Sequence, residues 1–254
     1  MAAVQEASDM VPTRRHQPWV RLTHWLIALA VLVLIYSGIA ILMVHPRFYW
    51  GTVGNDLMKP IFEVPVGPNF HAMQWSPTTA FFGNPDGPVT ADRLAEPWNG
   101  NGWARSMHFL AAWAFLLGLA VYLGLGALTG HARRALLPGA DELTAGNIGQ
   151  DIKAHLRLPM PTVRPGPPYG VLQKLTYAMV AFVALPLMFL TGITMSPAIT
   201  ASYPVLLDVF GGGQSARTIH FFTFSFLALF LLVHLVMIVL TGPLRQLRAM
   251  TLGK

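Results

Sequence analysis

Cysteine is absent from the 254 residues. That removes disulfides, iron–sulfur ligation, thiolate zinc sites and covalent haem attachment through C-x-x-C-H. Charge is scarce as well: Asp, Glu, Lys and Arg make up 11% of the chain, against 54% hydrophobic residues and a mean hydropathy of +0.50. A composition so poor in charge lies far from that of an average soluble domain and belongs in a lipid bilayer. A phosphate-binding loop is missing too, because Gly211-Gly212-Gly213 is not preceded by a strand and reads as a flexible turn. The cations behind the net charge of +6 are scattered and form no patch interleaved with aromatics, which argues against nucleic acid as a partner.

What the chain does have is long apolar runs. Residues 20–44, 104–128, 171–195 and 216–241 are each long enough to cross a hydrocarbon core of about 30 Å as a helix. They predict a single all-α membrane domain: an integral four-helix bundle with extramembrane segments at 45–103 and 129–170. The first run is too long for a secretory signal and no small-x-small cleavage site follows it, so it reads as a retained helix. Arg14, Arg15, Arg21, Arg133, Arg134, Lys153, Arg157, Arg164, Lys174, Arg245, Arg248 and Lys254 fall on one side, twelve of the 17 cations. The positive-inside rule makes that side cytoplasmic. Both termini are then cytoplasmic, and the 45–103 loop lies on the opposite face of a bacterial inner membrane.

Four histidines fall inside the spans. In the last one, His220 and His234 are 14 residues apart, close to four helical turns, so their rings point within about 40° of one direction and stand about 21 Å apart along the axis. One ion cannot bridge them, and an imidazole in lipid needs a partner. Spans two and four start on the outer side, which puts His108 and His220 in the outer leaflet. His24, near the start of span one, and His234, near the end of span four, share the inner leaflet. Two pairs at two depths suit two noncovalently held haem groups with bis-imidazole ligation, which leaves no open iron position and favours electron transfer. The motif R-x-x-H repeats at Arg21/His24, Arg105/His108 and Arg217/His220, setting each Arg one turn from its His, where a haem propionate could meet it. The competing account is that these arginines only snorkel to the membrane surface.

Other residues carry less. His16, His45, His71, His131 and His155 lie in tails or loops, where an imidazole is ordinary. Met107 and Met237, and the phenylalanines at 221, 222, 224, 226 and 230, read as packing. Gly38 and Gly192 could allow a flat ligand or another helix to come close. Pro186 should kink span three, which has no histidine and reads as a packing helix. The 45–103 loop carries Phe48, Tyr49, Trp50, Phe70, Trp75 and Trp98, with a short helix expected around residues 55–62, and reads as an ordered cap that docks a partner. The Pro-rich 129–170 segment reads as a linker.

Four spans, an R-x-x-H-W opening of the first, one ligand at the start of the second, none in the third and H-x13-H in the fourth resemble the bacterial cytochrome b561 family. That family includes the membrane b subunits of formate dehydrogenase, nickel-iron hydrogenase and thiosulfate reductase. The resemblance covers residues 15–245 apart from the long outer loop. It implies two haem b groups, ligand pairs His24–His234 and His108–His220, a quinone site beside one haem, usually the inner one, and an outer partner holding the redox enzyme; the leading reading makes that partner a periplasmic oxidoreductase such as a molybdenum enzyme. The chain would then be an electron-transfer subunit of the respiratory chain with no catalytic side chain of its own away from quinone. Two alternatives stand beside it: a self-sufficient quinone oxidoreductase acting on superoxide or another small species at the outer haem, and a transporter or proton channel using intramembrane histidines.

Overall fold

The computed structural model describes residues 17–55, 58–66, 102–156 and 170–253. His16, Phe70, His71, Trp75, Trp98 and the prolines of 159–168 fall outside the described residues, as does the His155 side chain. In chain order the elements are α1 Pro18–Val44, β1 Arg47–Phe48, β2 Phe62–Glu63, α2 Gly102–Leu128, α3 Ala145–Leu156, α4 Val171–Thr194, α5 Pro197–Ser202, α6 Val205–Phe210, α7 Gly213–Leu240 and α8 Pro243–Thr251. Four of these, α1, α2, α4 and α7, are long and apolar enough to cross a membrane.

Their surfaces explain the solvent they need. Leu29, Leu32, Leu110, Leu117, Leu229 and Leu232 are 60–68% exposed, an outward apolar surface that water would not tolerate and hydrocarbon covers. Hydroxyls inside the spans are satisfied locally: Thr23, Ser37, Thr191, Thr194 and Thr223 each donate to the carbonyl four residues back, at 2.7–2.8 Å. In lipid that self-satisfaction replaces the lost water. Pro186 takes an unforeseen form. A π-helical turn at Val180–Ala184 precedes it, so the helix widens where the missing N–H would leave a carbonyl unanswered.

The residues group into two compact units, Met1–Leu26 with Gly118–Leu175 and Leu231–Lys254, and Ile27–Leu117 with Thr176–Phe230. Each long helix contributes residues to both.

In the Ile27–Leu117/Thr176–Phe230 unit, the chain leaving α1 is bound to the start of α7. β1 and β2 pair antiparallel, Arg47 opposite Glu63 and Phe48 opposite Phe62. The Arg47 and Glu63 side chains form an ion pair at 3.1 Å with exposures of 3% and 0%, a desolvated pair that is tolerable only because both charges are answered. Phe48 stacks on Phe62 at 4.7 Å and meets Phe221 of α7 at 4.5 Å. The short helix expected around residues 55–62 is corrected: no described residue of that stretch is helical, and Phe62 enters β2 instead. Gly211-Gly212-Gly213 forms the turn into α7 and is bonded to the chain leaving α1. Gly211 (φ +69) ends α6, Gly212 (φ +112) packs against Gly51 too closely for a Cβ, and the Gly51 carbonyl accepts from Gln214 N at 3.0 Å and Ser215 N at 3.2 Å. Orphan donors at the start of α7 are thereby satisfied.

In the other unit, the expected linker is partly built. A π-helical turn at Ala132–Leu136 and α3 precede α4. Lys174 of α4 donates to both carboxylate oxygens of Glu142 at 2.7 Å, and Asp151 accepts from Leu172 N at 3.0 Å. Lys174 holds the Glu142 carboxyl below the ordinary carboxylate range, with help from the Gly139 N–H. Helix α8 is held within this unit as well: Arg21 Nη1 donates to the Thr251 carbonyl and Trp25 Nε1 to the Met250 carbonyl, both at 2.9 Å. A cation at the carbonyl end of α8 also suits the helix dipole.

Candidate functional site

The Ile27–Leu117/Thr176–Phe230 unit brings two of the expected histidines together. His108 of α2 and His220 of α7 face each other with ring centroids 6.4 Å apart and planes at 61°. Neither ring hangs free on its own helix. Ser37 Oγ of α1 lies 3.0 Å from His108 Nδ1, and Thr191 Oγ1 of α4 lies 2.9 Å from His220 Nδ1. The residue after each hydroxyl is glycine. A Cβ on Gly38 would stand 3.4 Å from His108 Cε1, and one on Gly192 would stand 3.4 Å from His220 Cε1. A Ser-Gly step in one span and a Thr-Gly step in another thus seat the two imidazoles in the same way.

The remaining pair lies in the other unit. His24 of α1 and His234 of α7 have ring centroids 6.5 Å apart and planes at 53°. Trp25 packs edge-on against His24, at 5.4 Å and 89°. His131 sits against Trp19 at 5.5 Å and Tyr122 at 6.4 Å, in an aromatic setting.

Two of the three arginines have protein partners that the sequence did not reveal. Arg21 is the residue that holds the end of α8. Arg217 donates to the Arg47 carbonyl at 3.0 Å and to the His45 carbonyl, and its guanidinium lies 4.8 Å over the Phe48 ring. Arg105 is exposed near the start of α2. Ser37 and Thr191 were missed altogether, and Trp25 was noticed only as part of the R-x-x-H-W motif. The available signal was the repeat of hydroxyl-then-glycine in the first and third spans.

What can such pairs hold? Two imidazole nitrogens on opposite sides of one metal ion, each bonded at about 2.0 Å with its ring centre about 1.1 Å further back, put the centroids about 6.2 Å apart. Both observed separations match that span. Among the described residues, no group of three or more His, Asp or Glu could hold an ion alone. A two-imidazole site therefore fits a metal that arrives with its own equatorial donors, as iron does in a porphyrin. The donor set and the fold define a class: a multi-pass membrane protein whose intramembrane histidines face one another in pairs.

The match to a family model makes that class specific. Residues 15–253 match the model of prokaryotic cytochrome b561, and the chain belongs to that family. It is accordingly a membrane electron-transfer subunit that binds b-type haem. It is similar to a putative protein-methionine-sulfoxide reductase subunit, YedZ1, of Azospira oryzae, with 25% identity over 245 residues that cover 94% of this chain and 96% of the relative. No solved structure matches.

Proposed function

We propose that the chain holds two haem b groups, one between His108 and His220 and one between His24 and His234, and carries electrons across a bacterial inner membrane between the quinone pool and a periplasmic oxidoreductase. The observation that carries this reading is the recurrence of one ring separation, 6.4 and 6.5 Å, in both pairs. When bound, each haem supplies a one-electron couple. The protein's part is to fix both imidazoles, keep water away and leave no open coordination position. Arg21, Arg105 and Arg217, one turn from three of the ligands, are assigned to the propionates. A quinone site beside the His24/His234 haem, on the cytoplasmic side with both termini, completes the path.

A relative named as a reductase subunit supports a reductase as partner, with electrons arriving from quinol; a molybdenum enzyme fits that role. The long segment after α1 supplies the docking surface. Its part nearest α1 braces α7, so the informative deletion removes only residues 67–101 and spares β1 and β2. Purified deletion protein should keep its haem and be reduced by a quinol analogue, yet fail to deliver electrons to the reductase in membranes lacking the native chain. Quinone-linked oxidation of superoxide by the chain alone, undiminished by the deletion, would instead establish the self-sufficient enzyme.

A further inference from the structure

Ser37 and Thr191 are completely buried in helices that carry no ligand of the pair they touch. Each hydroxyl has one proton and a place for it. Ser37 Oγ donates to the Val33 carbonyl and Thr191 Oγ1 to the Leu187 carbonyl, both at 2.7 Å. A hydroxyl that has spent its proton can only accept from the imidazole beside it. The ring contacts 3.0 and 2.9 Å away are then Nδ1–H groups of His108 and His220 donating to oxygen. With Nδ1 protonated in both rings, both Nε2 lone pairs are left for a metal.

We propose that Ser37 and Thr191 are positioning residues for this pair: they fix the Nε2-ligating tautomer, aim the two rings at one metal ion, and raise the donor strength of both imidazoles. The proposal rests on the reading that His108 and His220 ligate a haem. An acceptor on the far nitrogen gives the ring partial imidazolate character and makes it the stronger base. Ferric iron gains more from that than ferrous iron, so the hydroxyls lower the midpoint potential of this haem. The step from residue to function is electronic and steric, and no proton leaves the site.

The test is a redox titration of full-length protein carrying Thr191→Val, Thr191→Ser, Ser37→Ala or Thr191→Val with Ser37→Ala, with haem counted in each. Thr191→Val keeps the side-chain volume and both histidines, so the haem should be retained. Its potential should rise, by up to about tenfold in ferric-to-ferrous balance, or about 59 mV for one electron. Ser37→Ala should act in the same direction, the double variant further, and Thr191→Ser should restore the wild-type value. The second haem serves as an internal standard and should not move. If Thr191→Val instead loses one haem and Thr191→Ser regains it, positioning is still upheld. Full haem with an unshifted potential in the double variant, or equal behaviour of the Val and Ser variants, would overturn the proposal. Wild-type protein without haem would remove the reading beneath it, an outcome visible before any variant is titrated.

Discussion

The two histidine pairs span nearly the same gap, with ring centres 6.4 and 6.5 Å apart, but their surroundings differ in kind. His108 and His220 are gripped from the side by buried hydroxyls on α1 and α4, and the start of α7 is braced by β1, β2 and the Gly51 carbonyl. In that stretch of α7, Ser215, Ala216, Thr218 and Thr223 are buried, and Thr218 Oγ1 donates to the Tyr49 carbonyl at 2.7 Å. His24, by contrast, sits between two residues, Arg21 and Trp25, that each donate one hydrogen bond to the end of α8. One pair has a buried hydroxyl against each imidazole. The other has neighbours of His24 that hold the end of α8.

The sharpest way to break this comparison is to remove one ligand. His220→Ala should take the purified protein from two haems to one, with the surviving haem belonging to His24/His234; equal loss of both would contradict separate pairs. Next in size is the brace. Glu63→Leu leaves the buried Arg47 guanidinium without its carboxylate, a loss of about 3–5 kcal/mol for a buried pair, and should lower the thermal midpoint in detergent and disturb the His108/His220 haem while sparing the other. A smaller effect is expected from Trp25→Phe, which removes one hydrogen bond worth about 1 kcal/mol. Faster amide exchange in residues 243–251, together with a shift confined to the His24/His234 haem, would establish the coupling to α8; a shift in the His108/His220 haem would deny it.

The mildest effect concerns pH. Glu142 has a lowered pKa because Lys174 binds its carboxylate. Its contribution is therefore fully present above the unfolded carboxyl pKa of about 4.3 and is lost as pH falls through the lower folded value. Amide exchange in α3 should rise below that window in wild type and be insensitive to it in Glu142→Gln. An unchanged pH response in that variant would assign the transition to another group.

The membrane spans were legible because a bilayer demands long apolar runs and punishes charge, which leaves a signal in composition alone. The histidines stood out for the same reason, as polar rings where lipid should exclude them. Ser37 and Thr191 were invisible: a hydroxyl that bonds its own helix looks self-sufficient in sequence, and its ring partners lie 71 and 29 residues away. Only the rotation of packed helices reveals them. Helix α3 was missed because Gly146 and Gly149 weaken its local propensity, while its tie to α4 comes from Asp151 accepting from Leu172 N, 21 residues apart. Arg21 and Arg217 showed the right spacing to histidine, yet the carbonyls they hold belong to segments distant in sequence.

Purified wild-type chain, assayed for haem as the pyridine haemochrome and titrated against potential, addresses the central claim without any substitution. The account predicts two b-type haems per polypeptide, resolved as two one-electron components. A colourless protein, or one that saturates at a single haem, would contradict it.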